Sequence, residues 1–152
     1  MDGLEEIVFA RKALTGSAVH TIDAKGRIIV PVKFREALGS MVFALKSADG
    51  RCIRIYPEIQ FLRMLEKLCH SDVRMTALRR KISGSAEQLR VDTQGRMLVP
   101  EEMRLSVGIT EKVHLVGMIE WLELWEEQSL ETAEEELSDE EALRMMADLG
   151  IA

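Results

Sequence analysis

The chain contains two copies of one segment. Residues 20–39, HTIDAKGRIIVPVKFREALG, align without a gap to residues 89–108, LRVDTQGRMLVPEEMRLSVG, at an offset of 69. Seven of the 20 positions are identical, among them Asp23/Asp92, Gly26/Gly95, Arg27/Arg96, Pro31/Pro100 and Arg35/Arg104, and five more exchange one apolar residue for another. Upstream, LTGSA at 14–18 is echoed by ISGSA at 82–86. Units this small bury too little surface to fold securely alone, so two copies are expected to pack together.

Each copy reads as strand, turn, strand and short helix. A strand ending at Ile22 or Val91 runs into DAKGR or DTQGR. An Asp at a turn start can accept backbone N–H bonds, and Gly supplies the positive φ that such turns need. IIVP or MLVP is expected to return as the second arm of a hairpin. Pro31 and Pro100 suit the first position of a helix. Phe34, Ala37 and Leu38 then fall at helical spacing, and Gly39 or Gly108 suits the helix end. A second hairpin follows in each copy, MVFAL and RCIRIY around SADG, then KVHLV and EWLELW around Gly117.

Between the copies, Pro57 opens a helical connector whose stripe is Phe61, Met64, Leu65 and Leu68. Ser71 or Asp72 caps a second stretch to about Ile82. Near the end, Ser138-Asp139-Glu140-Glu141 forms a capping box before Ala142, Leu143 and Met146, with Gly150 as the stop of a short terminal helix. The expected fold class is α+β. The expected divisions are an N-terminal extension at 1–17, a first unit at 18–56, a helical connector at 57–82, a second unit at 83–125 and an acidic tail at 126–152.

Composition narrows the function. At 47% hydrophobic and 30% charged residues the chain folds rather than staying disordered. No apolar run approaches the length of a membrane span. The start, MDGLEEIVFARK, lacks the pattern of a secretory signal. Cys52 and Cys69 stand far apart, which argues against a disulfide framework or a zinc site. A cytoplasmic protein is expected. The net charge of −6 conceals a division: residues 126–152 hold ten Asp/Glu and one Arg, whereas residues 1–125 hold 19 Lys/Arg and 16 Asp/Glu. Such a split is a sequence-level sign of a nucleic-acid surface or an acidic interaction tail.

The repeated Asp-x-x-Gly-Arg turn admits two readings. In one, Asp orders the backbone and Arg braces Asp. In the other, Arg27 and Arg96, with Lys25 and Gln94 beside them, reach phosphates and base edges. His20, His70 and His114 show no metal-ligand spacing, and HExxH, GxSxG and P-loop patterns are missing. No catalytic residue, metal or cofactor is expected, and the chain is not read as an enzyme. Asp23 and Asp92 are expected to stay ionised in their turns, which unsuits them as general acids. The nine Met residues read mostly as core. Trp121 and Trp125 share one face of a strand whose other face carries Leu122 and Leu124.

The first segment, followed after a helical connector by a second DTQGRMLVP, resembles the MraZ family over about residues 18–125. That family regulates transcription of the bacterial division and cell-wall gene cluster. The resemblance implies two intertwined AbrB-like β-hairpin/helix units forming a pseudo-dimeric barrel, with connector helices and a C-terminal helix. It implies a homo-oligomeric ring that presents the turns to double-stranded DNA and reads direct repeats in a promoter, in the cytoplasm at the nucleoid. Carried over by position, Lys25, Arg27 and Arg96 face DNA, with Lys33 and Gln94 as neighbouring candidates; Asp23, Gly26, Asp92 and Gly95 organise the turns.

Three features depart from the family pattern. Residues 1–17 lack a clear counterpart. Glu101-Glu102 replace Val32-Lys33, so residues 20–35 carry +3 and residues 89–104 carry zero. The acidic tail is long enough to compete with DNA for the basic body. The expected function is a sequence-specific DNA-binding regulator, most simply a repressor. The alternative is an AbrB-like interaction module, an antitoxin or scaffold, that binds a partner through its tail.

Overall fold

A computed structural model describes residues 13–152; the first 12 residues of the expected N-terminal extension lie outside the described residues. The first unit comprises β1 (Ser17–Thr21), β2 (Arg27–Ile29), α1 (Val32–Leu38), β3 (Met41–Lys46) and β4 (Ile53–Pro57). Helices α2 (Glu58–Cys69) and α3 (Thr76–Ser85) follow, joined through a 3-10 turn at Val73–Met75. The second unit repeats this order with β5 (Glu87–Arg90), β6 (Arg96–Leu98), α4 (Glu101–Ser106), β7 (Lys112–Gly117) and β8 (Leu122–Trp125), then α5 (Glu127–Glu135) and α6 (Asp139–Asp148). The repeat therefore extends past the hairpins, because a helix pair trails each copy. Ser138 caps α6 by accepting from the Glu141 N–H at 3.1 Å, as its capping box requires.

The hairpin expected between β1 and β2 does not form. β1 runs antiparallel to β7, β2 to β6 and β5 to β3. The result is a six-stranded sheet, β1-β7-β8-β4-β3-β5, and a separate ribbon, β2-β6. Interchanging the two units reproduces both strand orders. The reason is burial: β2-β6 pairing sets Ile28 beside Met97, so that the apolar residues of both short strands face the six-stranded sheet together. Exchange gives every short strand a partner and places all of them over one core.

That core lies between ribbon and sheet. Ile28 and Val30 from one unit and Met97 and Val99 from the other are fully buried against Ile53, Ile55, Leu115, Leu122 and Leu124. Phe34 of α1 closes one side. Hydrogen bonding does not close the strands into one barrel; among the described residues, β1 and β5 are the sheet edges. Leu14, within the expected extension, is buried in this core and exchanges backbone bonds with Ile119.

Side chains alternate across the sheet, so the face away from the ribbon carries a second set. There Phe43 stacks on Phe61 of α2 with ring centroids 4.3 Å apart, and Tyr56, Leu45, Met64 and Leu65 complete the cluster. On the corresponding side of unit two, Leu130 of α5 lines a groove with His114 and Val116. Arg51 adds an anchor: its guanidinium lies over Trp125 and pairs with Glu136 at 2.7 Å. The start of the acidic tail is thus held on the face opposite the ribbon.

Two further expectations change. Met97 is the only fully buried methionine among the described residues; Met75, Met118, Met145 and Met146 are exposed, because their helices and turns have no second layer over them. ISGSA, the echo of LTGSA, completes helix α3, whereas LTGSA leads into a strand. Local sequence is overridden here by what precedes it: α3 already has its hydrogen-bonding register when it reaches Ser83.

The exchange has a direct test. A fragment of residues 13–86 leaves β1 and β2 without partners, so it should be unfolded or recover pairing as a dimer. Circular dichroism with light scattering distinguishes these outcomes from a folded monomer, which would contradict the exchanged topology.

Candidate nucleic-acid interface

The two repeated turns have one geometry. Asp23 Oδ1 accepts from the backbone N–H of Lys25 and of Arg27, both at 2.9 Å. Its Oδ2 accepts from Arg27 Nε at 2.7 Å. Asp92 makes the same three bonds, to Gln94, Arg96 and Arg96 Nε, at 2.9, 2.9 and 2.7 Å. Gly26 and Gly95 complete the reversals at φ +83° and +79°, in the left-handed region. The Arg-braces-Asp reading is therefore present in both copies.

That brace uses only Nε. The terminal nitrogens of Arg27 and Arg96 have no other hydrogen bond or ion pair among the described residues, and the two side chains are 30% and 32% exposed. The aspartate thus fixes each guanidinium while leaving its outer edge able to donate, so bracing and contact with a ligand are compatible. Lys25 and Gln94 are exposed at the turns beside them.

The ribbon joins the two turns. Arg27 lies opposite Leu98, and Ile29 opposite Arg96, in antiparallel register. With Ile28 and Met97 pointing inward, alternation puts Arg27, Ile29, Arg96 and Leu98 on the outer face. The arginines occupy diagonal corners, with exposed Ile29 and Leu98 between them. Sequence reading left out these two apolar residues; their alternation with Ile28 and Met97 was the available signal.

Lys33 is placed apart from the turns. It sits on α1, where its Nζ donates to the Ser17 carbonyl at 2.7 Å and lies 5.1 Å from the Phe34 ring centroid. Sequence reading also gave no role to Arg35 and Arg104, although both are identical in the repeat. Each reaches across to the other unit's turn. A Cβ on Gly26 would come within 3.0 Å of Arg104 Nη2, and a Cβ on Gly95 would overlap the guanidinium of Arg35.

The electrostatics favour ionised carboxylates. Donation from the Arg27 backbone N–H is the main cause lowering the Asp23 pKa, and donation from Arg96 does the same for Asp92. A group with a lowered folded pKa contributes stability above its ordinary range and loses it as pH falls through the lowered value. Elsewhere, burial raises Cys52 to about 11, which makes it a poor nucleophile. No group of three or more His, Cys, Asp or Glu able to hold a metal is found among the described residues. No described helix is long and apolar enough to cross a membrane.

Two outcomes follow from this geometry. Gly26→Ala should cost about 1–2 kcal/mol from left-handed strain alone. Gly95→Ala should cost more, because Arg35 must also move; paired thermal melts compare them. In a pH titration, protection of the Arg27 and Arg96 amides from exchange should hold from neutral pH to about 4 and fade below it. Loss already between about pH 7 and 5 would contradict the aspartate brace.

Comparison with known proteins adds the following. The family model described as "MraZ protein, putative antitoxin-like" matches twice in tandem, over residues 13–83 and 82–148. Three proteins named "Transcriptional regulator MraZ" illustrate the similarity. That of Caldicellulosiruptor bescii is 36% identical over 91% of this chain and 99% of its own. That of Acetivibrio thermocellus is 33% identical over 90% and 98%, and that of Alcanivorax borkumensis is 33% identical over 76% and 84%.

Proposed function

The chain belongs to the MraZ family, with two of its modules in tandem, and from that premise we propose that it is a sequence-specific DNA-binding transcriptional regulator. It represses the bacterial division and cell-wall gene cluster, acts in the cytoplasm at the nucleoid, and binds promoter direct repeats as a ring of identical subunits. The observation that carries this reading is the outer face of the β2-β6 ribbon. A two-stranded ribbon fits a B-DNA major groove, which is about 12 Å wide. Arg27 and Arg96 offer free donor edges at its diagonal corners, suited to phosphates or to the acceptors of guanine. Lys25 and Gln94 extend the reach at each turn, and Lys33 contributes charge from behind. Ribbon and sheet act as the two walls of one pseudo-dimeric, barrel-like unit.

The ring reading draws on the helix pairs. Ile59, Leu62, Val73 and Leu78 are exposed around α2 and α3, and Leu143, Met145, Leu149 and Ile151 around α6. Residues 70–85 carry Arg74, Arg79, Arg80 and Lys81 against Asp72 alone, whereas the tail is strongly acidic. Like faces repel and unlike faces attract, so one subunit's tail meets the next subunit's connector. Such head-to-tail contacts generate rings when the rotation closes. A ring also multiplies the few basic contacts of one subunit through effective concentration.

The test is binding of the purified protein to DNA upstream of its own gene, with an unrelated promoter as control. Arg27→Ala should weaken binding more than Arg96→Ala, since Glu101 and Glu102 offset the charge around Arg96. A lost base contact should cost about 1–3 kcal/mol and relax specificity at one position. A lost phosphate contact should instead reduce the salt slope by about one. Equal losses would remove the asymmetry, and no binding at all would favour the interaction-module reading. Light scattering should give a mass many times 17.2 kDa, which falls towards that value when the chain is ended at Leu137.

A further inference from the structure

Arg35 and Arg104 occupy equivalent positions on α1 and α4, and each is anchored in its own unit. Arg35 Nε donates to the Val30 carbonyl at 2.8 Å, and Arg104 Nε to the Val99 carbonyl at 3.3 Å. Neither has a carboxylate partner among the described residues. Arg104 is only 9% exposed. A cation that buried without a counter-charge is costly, so a salt bridge does not explain its presence. What the two share is the far end of the side chain, which lies against the other unit's turn glycine. A Cβ at Gly95 would be equidistant from Arg35 Cζ, Nε and Nη2, so the face of the guanidinium plane covers that glycine. At Gly26 it would meet Arg104 Nη2 at 3.0 Å, with Leu98 Cδ1 at 3.5 Å.

We propose that these arginines are crossed positioning residues: Arg104 of the second unit sets the pose of the first turn, and Arg35 of the first unit sets that of the second. Backbone bonds between units tie each turn at its base, Ile22 N–H to the Glu111 carbonyl at 2.7 Å and Val91 N–H to the Ser40 carbonyl at 2.9 Å, and the Gly95 carbonyl accepts from the Val30 N–H at 2.7 Å; none of these supports the bare Cα face of the turn glycine. A rigid plane pressed where a Cβ would otherwise be supplies that support. Guanidinium suits the task because it is flat and anchored through Nε, while a lysine ammonium offers a flexible point charge. Arg104 acts on DNA through Arg27 and Lys25 rather than by contact, since it lies behind the turn. The consequence for DNA reading rests on the proposed function; the mechanical consequence does not.

The experiment uses the full-length protein with Arg104→Met, Arg104→Lys and Arg35→Met. Amide exchange by NMR reads the turns without DNA. Arg104→Met should speed exchange at Gly26 and Arg27 by about tenfold while Gly95 and Arg96 stay within about twofold; Arg35→Met should do the reverse. Arg104→Lys should fall on the same side with a smaller change. In promoter-DNA binding, Arg104→Met and Arg27→Ala should be clearly non-additive, whereas Arg104→Met and Arg96→Ala should add. Equal effects on both turns, effects on the residue's own unit, or no effect would overturn the proposal. So would a rise shared with core amides such as Leu115, which marks general loss of stability. If Arg27→Ala leaves DNA binding intact, the DNA reading fails while the exchange result still judges the crossed support.

Discussion

The fold depends on exchange of strands between two units that cannot complete themselves. Each Asp-x-x-Gly-Arg turn reverses the chain, yet the strands on its two sides leave for different layers. β1 enters the sheet beside β7, and β2 enters the ribbon beside β6. Core residues Ile28, Val30, Met97 and Val99 can be fully buried only because ribbon and sheet face each other, and that requires both units at once. The same exchange brings both turns to one ribbon, so a pair of arginines that are 69 residues apart in sequence share one outer face.

Duplication has left the turns alike and their surroundings different. The bond lengths within the two turns agree to the digit, because the aspartate, the glycine and the arginine are the same. Outside them the copies have diverged. Unit one holds its helix pair with the Phe43–Phe61 stack, while the pair after unit two is tied to unit one through the Arg51–Glu136 ion pair. The less anchored pair is also the acidic one. A segment that gains little from its own domain leaves its apolar side chains Leu143, Met145, Leu149 and Ile151 exposed.

Much of this was legible in the sequence. The gapless repeat located both turns, and Asp and Gly at fixed offsets identified their geometry. The second hairpins and the capped terminal helix were also readable, since their signals are local. The first hairpins were misread because turn chemistry says where a chain reverses, not which strand it then joins; pairing of β1 with β7 is a matter of tertiary contact. The methionines were misread because helical spacing does not reveal whether a helix face has a partner. Arg35 and Arg104 stood out only as identities. Their reach to Gly95 and Gly26 follows from exchange, which no spacing within one unit encodes.

The pairing of β1 with β7 also bears on how the chain is made. Ser17 pairs with Val116, so about 100 residues separate the partners, and contacts of such long range slow folding. At a synthesis rate of roughly 5–20 residues per second, the first strand waits about 5–20 s for its partner to be translated. During that interval its exposed backbone can pair with the same strands of a neighbouring nascent chain. For that interval β1 has no partner within its own chain, so the sheet can close only after the second unit has been made.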